Sequence, residues 1–399
     1  MKTNALSSPF SRPIYLGAAT RTPIGKFGGS LSRIPAPKLA ALCLQAALSR
    51  APDVPAADFV LLGHARQAGA GPNPARQAAV FAGLPESTPA FTINQACASG
   101  MTAIISAVEK IAIGRAHSIW AGGVESMSNT PYLLMNARFG MRLGHGEAVD
   151  GMHKDGFHCA LADMVMGKTV EEFIAKERGI SRRAQDEYAL LSQQRAEAAW
   201  QSGAFRPETF AIAPDPKDRG QPGLAQDEHR RPQTSLEELA KLPAVFDPKQ
   251  GSVTAGNSSG ITDGAAFLHV SDRKDVHAQA EILDYETVAL DPKRMGLGPI
   301  GAIGKILARQ RVQIDDLHAI EINEAFAAQI LACQTELKIP TEKLNPRGGA
   351  IALGHPIGAS GARVTTTLIH QLAGNSGSLG IASLCVSGGQ GIALLLRGL

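Results

Sequence analysis

Two stretches about 260 residues apart carry the same order of signals, and this internal repeat restricts the possible folds more than any other feature of the chain. Ala98-Ser-Gly100 opens a helix of small residues that ends near Gly114. The strand His117 to Ala121 and the glycines Gly122 and Gly123 follow. Ala359-Ser-Gly361 likewise opens a helix ending near Gly374, followed by the strand Ser378 to Leu384 and the glycines Gly388 and Gly389. Two copies of one α/β unit, packed with pseudo-symmetry, account for the match. Equivalent helix N-termini from two such halves converge on one site. Cys97 then aligns with Gly358, and His355 lies three residues earlier, at the equivalent turn of the second half.

The rest of the chain fits a duplicated α/β protein. At 399 residues it exceeds a single core of ordinary size. Its 42 glycines and 5% aromatic content suit helices that approach strands closely. Ile14 to Ala18 reads as a first strand, and Arg21 to Ser30 as a glycine-rich loop. Pro37 to Ser49 has helical periodicity, Phe59 to Leu62 is a strand, and Asn73 to Ala79 opens a further helix. Strands alternating with helices imply a largely parallel sheet. From Glu125 to about Lys249 the composition shifts to Met, charge and turns, with one long amphipathic helix from Ser181 through Ala199. Pro214 to Gln233 reads as loop. That segment is an insertion, and strand–helix alternation resumes from Ala280.

A net charge of +3 argues against a nucleic-acid surface. The five cysteines are widely spaced and include no CxxC pair, so neither a disulfide framework nor a zinc site is expected, and a reducing compartment fits. Met1 to Arg12 lacks the apolar core of a secretory signal, and no run is long enough to span a membrane. A soluble, cytoplasmic protein is expected.

Four motifs carry chemistry. Phe91 to Gly100 places Cys97 at a strand-to-helix turn, where unpaired backbone N–H groups favour an anion and would lower a thiol's pKa. Asn323 and Glu324 follow an apolar run and precede a helix. His355 is embedded in glycines and aliphatics from Gly348 to Gly358, and Cys385-Val-Ser-Gly-Gly-Gln-Gly391 sets a second thiol at the end of a buried strand. Each alone has an ordinary structural reading: a buried Cys, a capped helix start, a glycine turn.

In order and wording these motifs resemble the thiolase family (acetyl-CoA C-acyltransferases) over nearly the full chain. The resemblance rests on Arg21 to Gly29, Asn73 to Gln77, Cys97 to Gly100, Gly122 to Ser128, Thr254 to Gly260, Asn323 to Ala327, Gly348 to Pro356 and Cys385 to Gly391. It implies a duplicated βαβαβαββ core in αβαβα layers, with residues 1–124 and 251–273 as the N-terminal domain, 125–250 as an inserted loop domain, and 274–399 as the C-terminal domain. It implies reversible CoA-dependent cleavage of 3-ketoacyl-CoA, or the reverse Claisen condensation of two acetyl-CoA, through an acyl-Cys97 intermediate.

By the same resemblance Cys97 is the nucleophile, His355 its base and Cys385 the acid/base at the substrate α-carbon. Asn323, through a water, and His355 form one oxyanion hole; the backbone N–H groups of Cys97 and Ser387 form another. Arg231, Phe246 and Ser259 contact CoA, and Met166 and Phe326 belong to the same substrate-binding set. No metal and no permanently bound cofactor are implied, CoA and acyl-CoA being substrates. The resemblance also implies a homotetramer, or failing that a dimer, since the segment between Glu125 and Phe157 has about the length seen in tetrameric members of that family. The sequence departs from the family's short-chain pattern at Val165, where a His is common, and at Ser387, where Gly is frequent. Arg347 is also less usual and is expected near the site entrance. The alternatives are a decarboxylating condensing enzyme, a catalytically inactive acyl-CoA-binding protein, and a Cys-His hydrolase. The first and last have no use for Cys385, and the second would not retain the whole set.

Overall fold

A computed structural model of the chain describes residues 9–215, 220 and 222–399. The first half runs β1 (Tyr15–Arg21), α1 (Ala36–Arg50), β2 (Phe59–His64), α2 (Pro74–Phe81), β3 (Ala90–Ile93), α3 (Ser99–Ala112) and β4 (Ser118–Ser126). The insertion contains α4 (Arg182–Gln201), and β5 (Thr262–Ser271) completes the half. The second half runs β6 (Ala278–Ala289), α5 (Gly298–Gln310), β7 (Leu317–Ile322), α6 (Ala327–Leu337), α7 (Ile357–Leu372), β8 (Leu379–Val386) and β9 (Gln390–Gly398). The helix ends follow local chemistry. Asn73 caps α2 by accepting from the Arg76 N–H, and Ser181 caps α4 by accepting from Ala184.

The duplication is explicit in the sheet. Strands are ordered β3-β2-β4-β5-β1 in the first half and β7-β8-β9-β6 in the second, and the two runs join through antiparallel pairing of β1 with β6. The second-half counterpart of β3 shrinks to a single parallel bridge between Ile320 and Leu344. In each half parallel pairing (β3-β2-β4 and β7-β8) gives way to antiparallel pairing (β4-β5-β1 and β8-β9-β6). The sheet is therefore mostly antiparallel and not the largely parallel one expected, because β8 and β9 form a hairpin and β4 returns to β5 through the insertion in place of a crossover helix.

Alternating side chains sort into three cores. Val60 and Leu62 of β2 face outward to Leu39 and Leu44 of α1, whereas Leu61 between them joins Ile104 and Val108 of α3. In β9, Leu394 and Leu396 join that central core with Leu368 and Leu372 of α7, while Leu395 faces Ile303, Ile306 and Ile330 on the outer helices. The layers are therefore helices, sheet, α3 with α7, sheet, helices. Because both sheet faces are covered, strands such as β9 are continuous apolar runs.

The two central helices touch backbone to backbone at equivalent glycines. A Cβ on Gly100 would come 2.8 Å from the Ala362 nitrogen, and one on Gly361 would come 2.4 Å from the Met101 nitrogen. Because Ala362 and Met101 are themselves equivalent, the contact is reciprocal, as pseudo-symmetry requires.

Two parts of the repeat as read from sequence are corrected. Gly122 and Gly123 lie within β4, whereas Gly388 (φ 84°) and Gly389 (φ 81°) make the turn between β8 and β9, so these pairs are not equivalent. Gly123 is needed because a Cβ there would strike the Gly358 carbonyl at 2.2 Å. In addition, α7 begins at Ile357, two residues before the repeated tripeptide, because Pro356 already sets its first turn. Of the loop Pro214 to Gln233, residues 216–219 and 221 lie outside the described residues. Ile212 and Leu224 on either side pair through two backbone hydrogen bonds. Among the described residues no helix is long and apolar enough to cross a membrane.

Candidate active site

Cys97 sits in a single 3-10 turn, Ala96–Ala98, between β3 and α3. The residue before it, Ala96, has φ 48°, a left-handed conformation that costs a non-glycine residue roughly 1–2 kcal/mol. Side-chain bonds hold this strained elbow. Asn94 Oδ1 accepts from the Ala96 N–H at 2.9 Å, and Ser99 Oγ accepts from Gln95 N–H at 2.9 Å while donating to the Ala96 carbonyl at 2.7 Å. The equivalent position in the second half could not carry a thiol, since a Cβ on Gly358 would meet the Val124 carbonyl at 2.4 Å.

The second half supplies the facing turn. Gly354 has φ 105°, and a Cβ there would collide with Thr262, so the backbone enters His355 in a form only glycine allows. His355 Nδ1 lies 2.5 Å from Ser360 Oγ, whose own proton goes to the Pro356 carbonyl at 3.0 Å. Ser360 must therefore accept from Nδ1–H, which leaves the lone pair on Nε2. Asn323 Nδ2 faces that Nε2 at 3.5 Å. Ser99 and Ser360 are the repeated serine: one braces the nucleophile elbow and the other fixes the imidazole tautomer.

Cys385 is buried at the end of β8, two residues before Ser387. Gln95 Nε2 donates to Gln390 Oε1 at 2.8 Å, tying the elbow to the β8–β9 hairpin. The N–H groups of Ser387, in that hairpin, and of Cys97 itself favour the anionic form of the Cys97 sulfur. Cys385 shares an apolar cluster with Ala325, Met166, Phe246 and Phe326, and the Phe246 ring lies directly on Gly167. Ser258 pairs with Phe326 and the Ser259 N–H donates to Ala325 at 3.0 Å, so Ser259 borders the same cluster. Val165 pairs with His158 in a short ribbon and caps the helix Met166–Val170.

Asn323 does not cap a helix. Its amide is oriented by Arg363 Nη2, 3.4 Å from Oδ1, which turns Nδ2 toward His355. Neighbouring Glu324 accepts from Tyr188, Ser192, Asn345 and the Ile351 N–H, and so bolts α4 of the insertion to the glycine stretch before His355. Arg347 is not at the site entrance. It donates to Ala204 and to the His370 carbonyl in the last turn of α7, the end opposite His355, because unpaired carbonyls collect there.

Arg231 lies in a separate small cavity with His229, Thr234 and Gly256. Its backbone N–H is held by Gln193 at 2.9 Å, and its exposed guanidinium makes no ion pair among the described residues. Burial and the adjacent Arg231 push His229 down to about 4.

Sequence reasoning gave no role to Glu125. This wholly buried carboxylate, at the end of β4, accepts from the Ala65 and Arg66 N–H groups at 3.3 and 3.1 Å and from the Gly358 N–H at 2.9 Å, with His64 Nε2 at 3.1 Å. Burial alone would raise its pKa, but His64, Arg66 and the Gly358 N–H together lower it. It anchors the start of α7; in the sequence it stood only as one residue of the Gly122 to Ser128 stretch, with nothing to show what it would hold.

The helix-start argument for an acidic Cys97 is overturned. Burial dominates and raises its pKa above the usual thiol value, only partly offset by Arg66 and by the N–H groups of Ser387 and Cys97. Burial, with Arg363 and Arg66, pushes His355 down to about 3. In the free protein burial therefore favours the neutral thiol at Cys97 and the neutral imidazole at His355. Alkylation of Cys97 by iodoacetamide is expected to accelerate with pH through 9 and beyond; a plateau reached near neutrality would contradict this.

The family profile described as "Thiolase, N-terminal domain" matches residues 14–274, and "Thiolase, C-terminal domain" matches 276–398. The chain is 45% identical over 390 residues to the "Probable acetyl-CoA acyltransferase" of Staphylococcus aureus (strain COL) and to the "Acetyl-CoA acetyltransferase" of Pseudomonas aeruginosa, covering 96% of this chain and 98% of each relative. The crystal structure of the Bacillus anthracis acetyl-CoA acetyltransferase superposes with a TM-score of 0.93 at 41% identity, covering 98% of this chain and 100% of that one. Human mitochondrial 3-ketoacyl-CoA thiolase in complex with CoA superposes at 0.92 and 38% identity, over 97% and 98%. With both profiles matched in order across the fold that holds Cys97, His355 and Cys385, the chain belongs to the thiolase family.

Proposed function

We propose that the protein is an acyltransferase that cleaves 3-ketoacyl-CoA with CoA, or condenses two acetyl-CoA, by a ping-pong route through acyl-Cys97. The observation that carries this reading is the tie between Gln95, two residues before Cys97, and Gln390 of the β8–β9 hairpin, which holds the strand end bearing Cys385 against the elbow bearing Cys97, with the Ser360-oriented His355 on the facing turn.

In cleavage, His355 takes the Cys97 proton as sulfur attacks C3 of the substrate. The C2–C3 bond breaks, and its electron pair and the proton of Cys385 end on C2 of departing acetyl-CoA. Cys385 suits this step because burial raises its pKa well above the ordinary thiol value, so it remains protonated. A CoA thiol then displaces Cys97 from the acyl group, and proton return restores both thiols. The N–H groups of Cys97 and Ser387 stabilise the oxyanion on the acyl carbon. His355 and Asn323, through a water, stabilise the enolate oxygen. One such donor is typically worth about 3 kcal/mol. CoA is held by Arg231 at a phosphate and along Phe246 and Ser259, with Met166 and Phe326 on the wall next to Cys385; insertion 125–250 supplies Arg231, Phe246 and Met166.

We further propose a homotetramer of two dimers, working in the cytoplasm. The tetramer is supported by a loop that leaves Tyr132, Leu134, Met135, Phe139 and Leu143 in water, with Leu143 99% exposed. The direct test of the function is incubation with acetyl-CoA followed by mass spectrometry. An acetyl group on the Cys97 peptide is expected, and its absence while CoA binds would sink the proposal.

A further inference from the structure

One buried cation beside the site has no part in the steps above. Arg66 is only 8% exposed, and its Nε is sealed from solvent without a partner. Its backbone N–H bonds Glu125, but its guanidinium makes no hydrogen bond or ion pair among the described residues. Glu125 does not engage the guanidinium, because its oxygens are taken by His64 and by the three backbone N–H groups of Ala65, Arg66 and Gly358. A desolvated, unpaired donor is costly to keep, so its retention beside the cluster that holds Cys97 points to a ligand that pairs it.

The place of Arg66 is defined by packing. The guanidinium lies flat on Gly156, where a Cβ would stand 2.7 Å from Nη2 and 2.8 Å from Nε. The next residue, Phe157, packs in the cluster of Ala65, Cys97, Met127, Met152 and Ile357. Arg66 thus flanks an apolar cluster that includes Cys97, on the side of Met152 and Phe157 and not on the side of Phe246 and Phe326. It lies within electrostatic reach of both Cys97 and His355.

The geometry points to Arg66 as the receptor for a carboxylate at the far end of the acyl group, making 3-oxoacyl-CoA thioesters of dicarboxylic acids the preferred substrates. This rests on the proposed acylation of Cys97. After the Cys97–C3 bond forms and C2–C3 breaks, acetyl-CoA departs with the electron pair and a proton on C2, and the acyl group that stays on sulfur carries the tail. That tail must lie against the residues packed around Cys97, and Arg66 flanks that cluster. A planar guanidinium pairs a carboxylate through two parallel hydrogen bonds. An alkyl tail would shut the same donors away from water unpaired, and sites built to hydrogen-bond a substrate discriminate strongly against analogues that lack the group.

The test compares thiolysis of 3-oxohexanedioyl-CoA with that of 3-oxohexanoyl-CoA, which differ only in the terminal carboxylate. The purified protein is expected to favour the charged substrate in kcat/KM by about 10- to 100-fold, the worth of a charge-assisted hydrogen bond. Arg66→Met should erase that ratio, chiefly by raising KM for the charged substrate, and Arg66→Lys should restore part of it. A wild-type ratio near one overturns the proposal whether or not the variants fold. An Arg66→Met variant that slows both substrates equally also overturns it, assigning Arg66 to the Cys97 thiolate instead. Failure of the underlying reading looks different: neither substrate is cleaved, and Cys97 takes no acetyl from acetyl-CoA.

Discussion

In a Cys97→Ala variant, cleavage and condensation should both fall by about 10⁴-fold or more, the usual loss when a covalent nucleophile is removed and only binding and oxyanion donors remain. The size of the effect follows from the division of labour in the site. No other thiol can take over, because Cys385 is held at the end of β8 and its pKa is pushed well above the ordinary value by burial and the neighbouring Cys97. The fold should survive. The elbow is held by Asn94 and Ser99 and not by the sulfur, so the stability change should stay within about 1 kcal/mol in urea titrations. Residual turnover within tenfold of wild type would show that the acyl group is never parked on this residue.

A Cys385→Ala variant should behave differently. Acetyl transfer from acetyl-CoA to Cys97 needs only the nucleophile, His355 and the backbone donors, so the acetyl adduct should still form. Condensation and 3-ketoacyl cleavage, which move a proton at C2, should fall by about 10²- to 10⁴-fold, the range for loss of a positioned acid or base. Removing the buried sulfur leaves a small cavity against Ala325 and Ala328, a modest penalty of about 1–2 kcal/mol. Mass spectrometry of the adduct and a turnover assay on one preparation separate the two roles. Normal turnover would exclude Cys385 as the proton carrier, and loss of the adduct would mean that the two thiols act as one unit.

The repeat was legible because it is written in small residues at fixed spacing, and Gly100 and Gly361 meet as it requires. The strand–helix alternation was legible because both faces of each sheet are buried and the strands stand out as apolar runs. The limit of such reading shows at Gly122 and Gly123. Glycine as turn and glycine as close-contact residue look identical in a sequence, and only the neighbour across the layer, here the Gly358 carbonyl, distinguishes them. Arg347 shows the same limit. A charged residue beside a motif seemed to belong to it, yet its side chain reaches the far end of α7.

The sequence by itself determined that the chain is a doubled α/β unit and which residues carry sulfur, imidazole and amide at the two facing turns, because residue type and spacing are local properties. Only the tertiary structure decided what those groups are in their resting state. Burial favours the neutral forms of Cys97 and His355 in place of the expected acidic thiol, and Ser360 selects the imidazole tautomer. Desolvation and hydrogen-bond partners depend on atoms hundreds of residues away in sequence. That is also why the anchoring role of Glu125 and the guanidinium of Arg66 without a hydrogen-bond partner emerge only in the fold.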